Sequence, residues 1–135
     1  MWGKVIPAPP PRFRRRQTYM HTKRFHNIFD LENCNEKISN RDDVRKFVEK
    51  VAEAVDMKIL EGPIVAQGVE QNPGFNAFVI IDFSHISVHT FTNYREALID
   101  IFSCKEYDRE RVLQVCKEFF GTPETTIRQK EVWWG

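Results

Sequence analysis

Residues Phe83 to Thr90 read Phe-Ser-His-Ile-Ser-Val-His-Thr. The stretch has the alternation of a β-strand, yet only Ile86 and Val88 are aliphatic, where a strand built for packing takes valine and isoleucine throughout. On a straight strand Ser84, Ile86, Val88 and Thr90 share one face, and His85, Ser87, His89 and Phe91 share the other. Neither face is wholly apolar, so the strand is either solvated or the carrier of chemistry. His85 and His89 stand four apart and are well separated on a straight strand, which makes them poor paired metal ligands. Nothing in the chain resembles the HExxH helix of zinc proteases. A serine beside a histidine suggests nucleophilic hydrolysis, but there is no GxSxG elbow, and sequence does not identify the third member of a triad.

Working outward, Phe75–Ile81 is a mostly apolar run ending in aliphatics, entered through the Pro73-Gly74 turn signal, and it reads as a buried strand. Ala97–Phe102 is another short apolar strand, with Asn93 and Tyr94 in the connection. Upstream, Lys23–Leu31 reads as a first strand. Asn40 with Asp43 resembles a helix N-terminal cap. Val44, Phe47, Val48, Val51 and Val55 then recur at spacings of three and four, one apolar stripe of a helix running to about Val55. Lys58–Leu60 starts a strand that Gly62-Pro63 interrupts and Ile64–Gln67 continues. Downstream, Asp108 opens a second helix with Val112, Val115, Cys116 and Phe119 on one side, and Gly121 with Pro123 stops it. Thr125–Trp134 reads as a last strand, with the adjacent Trp133 and Trp134 facing opposite ways. The order β-α-β-β-β-β-α-β predicts an α+β fold, a mainly antiparallel sheet with two helices packed on one face.

The 135 residues suffice for one domain with a core. Residues 1–24 hold seven basic residues and no acid, which leaves 13 basic and 19 acidic in 25–135, a net −6. We therefore divide the chain into a basic, proline-rich arm, 1–21, and a single domain, 22–135. Pro7, Pro9, Pro10 and Pro11 favour an extended arm. Its RFRRR run could touch phosphates, but no basic aromatic surface continues into the body, and nucleic-acid binding is disfavoured. No stretch is apolar for long enough to cross a bilayer, and the start lacks the pattern of a signal peptide. Three widely spaced cysteines, Cys34, Cys104 and Cys116, form neither a disulfide framework nor a zinc site. A reducing cytoplasm is the expected compartment.

The block Ser84-His85-Ile86-Ser87, then His89-Thr90-Phe91, followed by Asp100, Phe102 and Cys104, resembles the core of the bacterial and archaeal type of S-adenosylmethionine decarboxylase. His26–Leu31 and Cys34 resemble that family's opening strand and following cysteine, so the likeness covers roughly 23–120. The resemblance implies a homodimer with sites near the subunit interface, a small amino-acid substrate, and a pyruvoyl group made from Ser84, with neither metal nor pyridoxal phosphate. It implies that the Ser84 hydroxyl attacks the Phe83 carbonyl, that His89 transfers a proton during the resulting chain cleavage, and that Cys104 is the proton donor in turnover. It also implies decarboxylation of S-adenosylmethionine in polyamine biosynthesis, with ornithine or arginine as alternative substrates, since some relatives act on other amino acids. A non-catalytic binding or assembly protein that stays intact is the remaining alternative.

Two positions depart from the family pattern. Phe83 stands where the family has glutamate, which removes a carboxylate but leaves an aromatic wall for substrate. Asn76 stands where the family has a serine that helps hold the cyclic processing intermediate, and its amide still offers a donor to an oxyanion. Phe91 is a further candidate for the substrate platform. His85 and Ser87 read as hydrogen-bonding residues of the strand, and Cys34 and Cys116 as small buried hydrophobes. Nothing in the sequence fixes Tyr94, Glu61 or Glu70 at a ligand.

Overall fold

A computed structural model of the chain describes residues 22–132. The proline-rich arm, 1–21, and the Trp133-Trp134 pair lie outside them. Six strands and two α-helices follow in the order β1 (Phe25–Glu32), α1 (Arg41–Ala54), β2 (Ile59–Gln67), β3 (Phe75–Ile81), β4 (Ser84–Phe91), β5 (Glu96–Ser103), α2 (Arg109–Phe120) and β6 (Thr126–Val132). They form one antiparallel sheet in the order β2-β3-β4-β5-β1-β6, with the helices against a single face. Among the described residues, no helix is long and apolar enough to cross a membrane.

The helices begin where short polar side chains satisfy their first amides. Asn40 Oδ1 accepts from the Asp43 N–H at 3.0 Å, and Asp108 Oδ1 accepts from the Glu110 N–H at 2.9 Å. The α1 stripe Val44, Phe47, Val48 and Val51 is fully buried, and Val55 closes it at the C-cap. On α2 the stripe sits slightly differently from its sequence reading. Val112 and Cys116 are buried as expected, but Phe120 rather than Phe119 or Val115 is the fully buried residue of the last turn. The reason is a partner: the Phe120 ring stacks on Phe47 of α1 with centroids 4.2 Å apart, while Phe119 meets Phe47 edge-on at 5.7 Å.

Strand β2 also differs from expectation. Gly62-Pro63 does not break it; the register against β3 shifts twice, between Ile59 and Glu61 and between Glu61 and Ile64. β2 is the sheet's edge, where a proline without an amide hydrogen is tolerated, and Gly62 takes the φ of +93° that the irregularity needs.

The polar strand β4 lies inside the sheet, between β3 and β5. Ile86, Val88 and Thr90 face the helices and are buried, while His85, Ser87, His89 and Phe91 lie half-buried on the opposite, helix-free face. Thr90 can occupy the core because its hydroxyl is used twice. It accepts from the Phe75 N–H at 2.9 Å and donates to the Ile38 carbonyl at 2.8 Å. The open face also carries Ile64, Phe78 and Ile80, all exposed.

Candidate active site

Strands β3 and β4 are joined by the two-residue turn Asp82-Phe83, so the Phe83–Ser84 bond lies at the tip of a hairpin. The turn is pinned from both sides. Toward the edge, the Asp82 N–H donates to the Lys58 carbonyl at 2.9 Å, and the Lys58 N–H returns to Asp82 Oδ1 at 3.2 Å. Toward the centre, the β4–β5 register sets Ser84 opposite Ser103. That register brings the next residue, Cys104, to the Phe83 carbonyl. Its N–H donates at 3.0 Å and its Sγ–H lies 3.6 Å from the same oxygen. Held this way, Ser84 has a φ of +140°, a conformation that costs a non-glycine residue about 1–3 kcal/mol. The carbonyl before Ser84 is thus polarised by two donors, and the serine after it is strained.

The Ser103-Cys104-Lys105 corner is itself braced. Ser103 Oγ accepts from the Lys105 N–H at 2.9 Å and donates to the Lys105 carbonyl at 2.8 Å. Lys105 then turns back over the hairpin, its Nζ 5.3 Å from the centre of the Phe83 ring and 3.0 Å from the Asp56 carbonyl oxygen.

The other end of the hairpin holds a second group. Asn76 of β3 pairs across from His89 of β4, and Asn76 Oδ1 lies 2.7 Å from His89 Nδ1. An amide oxygen only accepts, so Nδ1 carries the proton and Nε2 is left as the basic nitrogen. Phe91 lies on the same open face two residues on. His89 is five residues along β4 from Ser84, a span of roughly 16 Å at about 3.3 Å per residue. One copy of the chain therefore brings Phe83, Ser84 and Cys104 together at one end, and Asn76, His89 and Phe91 at the other, but does not join the two sets.

Between them, His85 is stacked. Its ring lies 5.3 Å from Phe78 on one side and 5.7 Å from Phe102 on the other, nearly parallel to the latter. Next in the row, His26 Nε2 approaches Asp100 Oδ1 at 2.6 Å. These contacts brace the open face. Cys34 and Cys116 are fully buried, and desolvation pushes each thiol up to about 12. Among the described residues, no group of three or more His, Cys, Asp or Glu side chains is arranged to hold a metal ion.

Lys105, Asp82 and Ser103 escaped the reading of the sequence. Their only signal there was adjacency to Cys104 and Phe83, and the β4–β5 register gives that adjacency meaning.

The chain is similar to known proteins over most of its described length. Residues 25–131 match the family model described as S-adenosylmethionine decarboxylase. A Clostridium botulinum (strain Langeland) protein named S-adenosylmethionine decarboxylase proenzyme is 33% identical over 98 residues, covering 70% of this chain and 80% of that protein. An arginine decarboxylase proenzyme of Caldivirga maquilingensis is 27% identical over 85 residues, 62% of this chain and 63% of its own length. The crystal structure of the adenosylmethionine decarboxylase from Aquifex aeolicus has the same fold. Its TM-score is 0.65 at 19% identity, over 79% of this chain and 88% of that one. With a family match that spans both helices and all but the last residue of the six-stranded sheet, the chain belongs to the pyruvoyl-dependent S-adenosylmethionine decarboxylase family.

Proposed function

We propose that the protein is a self-processing decarboxylase whose cofactor is a pyruvoyl group derived from Ser84 and whose substrate is S-adenosylmethionine. The observation that carries this reading is the scissile bond: a strained Ser84 preceded by a carbonyl that already receives the Cys104 amide and thiol. The Ser84 hydroxyl attacks the Phe83 carbonyl carbon, and the amide becomes an ester. The Cys104 N–H steadies the oxyanion as it forms, because the donor is in place before charge develops. A base removes the Cα proton of residue 84, the ester oxygen departs on Phe83 as a carboxylate, and the chain parts. Hydrolysis of the dehydroalanine left at residue 84 releases ammonia and leaves the pyruvoyl group. Once formed, that group supplies the electron sink for loss of carbon dioxide from an amino-acid substrate. His89, with Nε2 free to take a proton, is the proton carrier in processing, and Cys104 is the proton donor in turnover.

The separation of the two ends supports a homodimer. In a two-fold contact, residue i of one copy meets j of the other, and j meets i. Packing two open faces so that strand directions oppose sets the His89 end of one copy at the Ser84 end of its partner, and does so twice. Such a contact also covers Ile64, Phe78 and Ile80, which one copy leaves exposed. Phe83 of one copy and Phe91 of the other then flank the substrate.

Arginine is the second reading for the substrate, favoured by the similarity to an arginine decarboxylase proenzyme. The experiment has two stages. Intact-mass measurement of the purified protein is expected to show two fragments, the downstream one blocked at residue 84. Only full-length chain after long incubation near neutral pH would support the non-catalytic alternative. Processed protein is then offered S-adenosylmethionine, arginine, ornithine and lysine separately, and carbon dioxide is measured. Release from a basic amino acid alone would overturn the substrate while leaving the mechanism intact.

A further inference from the structure

Cleavage at Phe83–Ser84 turns a neutral carbonyl into a carboxylate, and the surroundings of that new charge are mostly acidic. A cavity of about 650 Å³ opens beside the hairpin tip, lined by Glu49, Glu53, Asp56 and Asp82 with Lys58 and Lys105. A fifth negative charge at its rim would be repelled by the other four. Of the two lysines, Lys105 is the one that already contacts the residue acquiring the charge, its ammonium resting over the Phe83 ring. It is also fixed at both ends, by the Ser103 brace on its backbone and by the Asp56 carbonyl on its Nζ. The Phe83 carbonyl oxygen, which becomes part of the carboxylate, lies against the residue immediately before it.

We propose that Lys105 is a positioning residue for the cleaved chain: it holds the carboxylate left on Phe83, and so keeps the end of the upstream fragment docked beside Cys104. The ring contact serves the intact precursor and the ion pair adds to it after cleavage. In the intact chain the peptide bond keeps Phe83 in place. After cleavage that covalent tie is gone, and Phe83 is held by the Cys104 N–H on its carbonyl oxygen, the Lys58–Asp82 hydrogen bonds and its side-chain contacts. Loss of the contact would let Phe83 leave the wall of the site and give Cys104 a different neighbour.

The inference rests on self-processing, and the test separates the two. Hydrogen exchange of the Asp82 amide, which is bonded to the Lys58 carbonyl, reports fraying at the hairpin tip. It is compared in cleaved wild type, cleaved K105M and cleaved K105R, and in the uncleavable S84A background with and without K105M. The expected result is roughly fivefold faster exchange in cleaved K105M than in cleaved wild type. K105R is expected to restore protection, and K105M to have a clearly smaller effect on S84A. Raising the salt concentration should bring cleaved wild type toward K105M, and should change exchange less in uncleaved S84A, where, among the described residues, the Lys105 ammonium faces only the Asp56 carboxylate, at 3.9 Å. Equal K105M effects in the cleaved and uncleaved backgrounds would overturn the proposal. So would a K105M chain that fails to cleave, because Lys105 would then act before the carboxylate exists. A wild-type chain that never cleaves, seen by mass, removes the self-processing reading itself and this proposal with it.

Discussion

The two ends of strand β4 carry reactive groups prepared in different ways. At the Ser84 end the preparation is in the backbone: a positive φ, a two-residue turn, and an amide from the neighbouring strand aimed at one carbonyl. At the His89 end it is in a side-chain pair, where Asn76 fixes the tautomer of an imidazole on otherwise regular strand. On the proposed reading, the bond that breaks once is held by backbone contacts on both sides of the hairpin. On the same reading, the group that takes up and releases protons is held by one hydrogen bond through its Nδ1. A motif compressed into eight residues can thus carry two separate sets of groups, because a strand, being extended, keeps its ends apart.

Ser84→Ala removes the proposed nucleophile, and His89→Ala the proposed proton carrier, so each variant alone is expected to remain a single chain. If the halves meet across a two-fold axis, co-refolding the two variants restores one complete site in each mixed dimer. That site lies on the H89A chain, whose Ser84 is opposite the S84A chain's His89. Random pairing of equal amounts makes about half of the dimers mixed, so about half of the H89A chains should be cleaved by mass. No cleavage in the mixture, with both variants folded and dimeric, would show that Ser84 does not use its partner's histidine.

The next test concerns the Ser84 end, where Cys104 stands in contrast to the two cysteines elsewhere in the fold. Burial pushes the Cys34 and Cys116 thiols up to about 12, so both stay protonated and shielded at pH 8. Cys104 is only partly buried. A small alkylating reagent is therefore expected to add one group per folded chain, at Cys104, and to reach the other two after denaturation. In processed protein the same modification, or Cys104→Ala, should cut turnover by about 10²–10⁴-fold. The Cys104→Ala chain should still cleave, since the amide that contacts the Phe83 carbonyl remains. Normal turnover by Cys104→Ala would remove the thiol from the reaction.

Much of the fold was legible because its periods are clean. Phe75–Ile81 could be bounded by the Pro73-Gly74 signal and its apolar run, Ser84–Phe91 by its alternation, and the α1 stripe by spacings of three and four. The apolar run did not show that β3 is buried on one face only, because Phe78 and Ile80 lie exposed on the helix-free face. The β2 irregularity was not, because it is decided by the pairing with β3, and the sequence shows only a glycine and a proline. Phe120 was missed for the same kind of reason: its burial depends on Phe47, seventy-three residues away. At the site, Ser84, His89 and Cys104 could be named from a family resemblance. The contact of the Cys104 amide with the Phe83 carbonyl was invisible, since it follows from a cross-strand register. So does the position of Lys105. The distance between Ser84 and His89, in contrast, was already implied by placing both on one strand.

The smallest expected effect belongs to Asn76. Asn76→Ala leaves His89 in place and removes only the acceptor 2.7 Å from its Nδ1. The imidazole would then divide between two tautomers and several ring orientations, and only a fraction would present a basic Nε2. A hydrogen bond at an exposed position contributes about 0.5–1.5 kcal/mol, so cleavage should slow by about two- to tenfold without stopping. Asn76→Asp keeps an acceptor oxygen at the same length and should lie closer to wild type in rate. The measurement is the time course of the two fragments by intact mass, with folding checked by thermal melting. A loss as complete as that of His89→Ala would mean that Asn76 itself contacts the reacting atoms. It would then be the partner's Asn76 amide, not only its histidine, that reaches the Ser84 end.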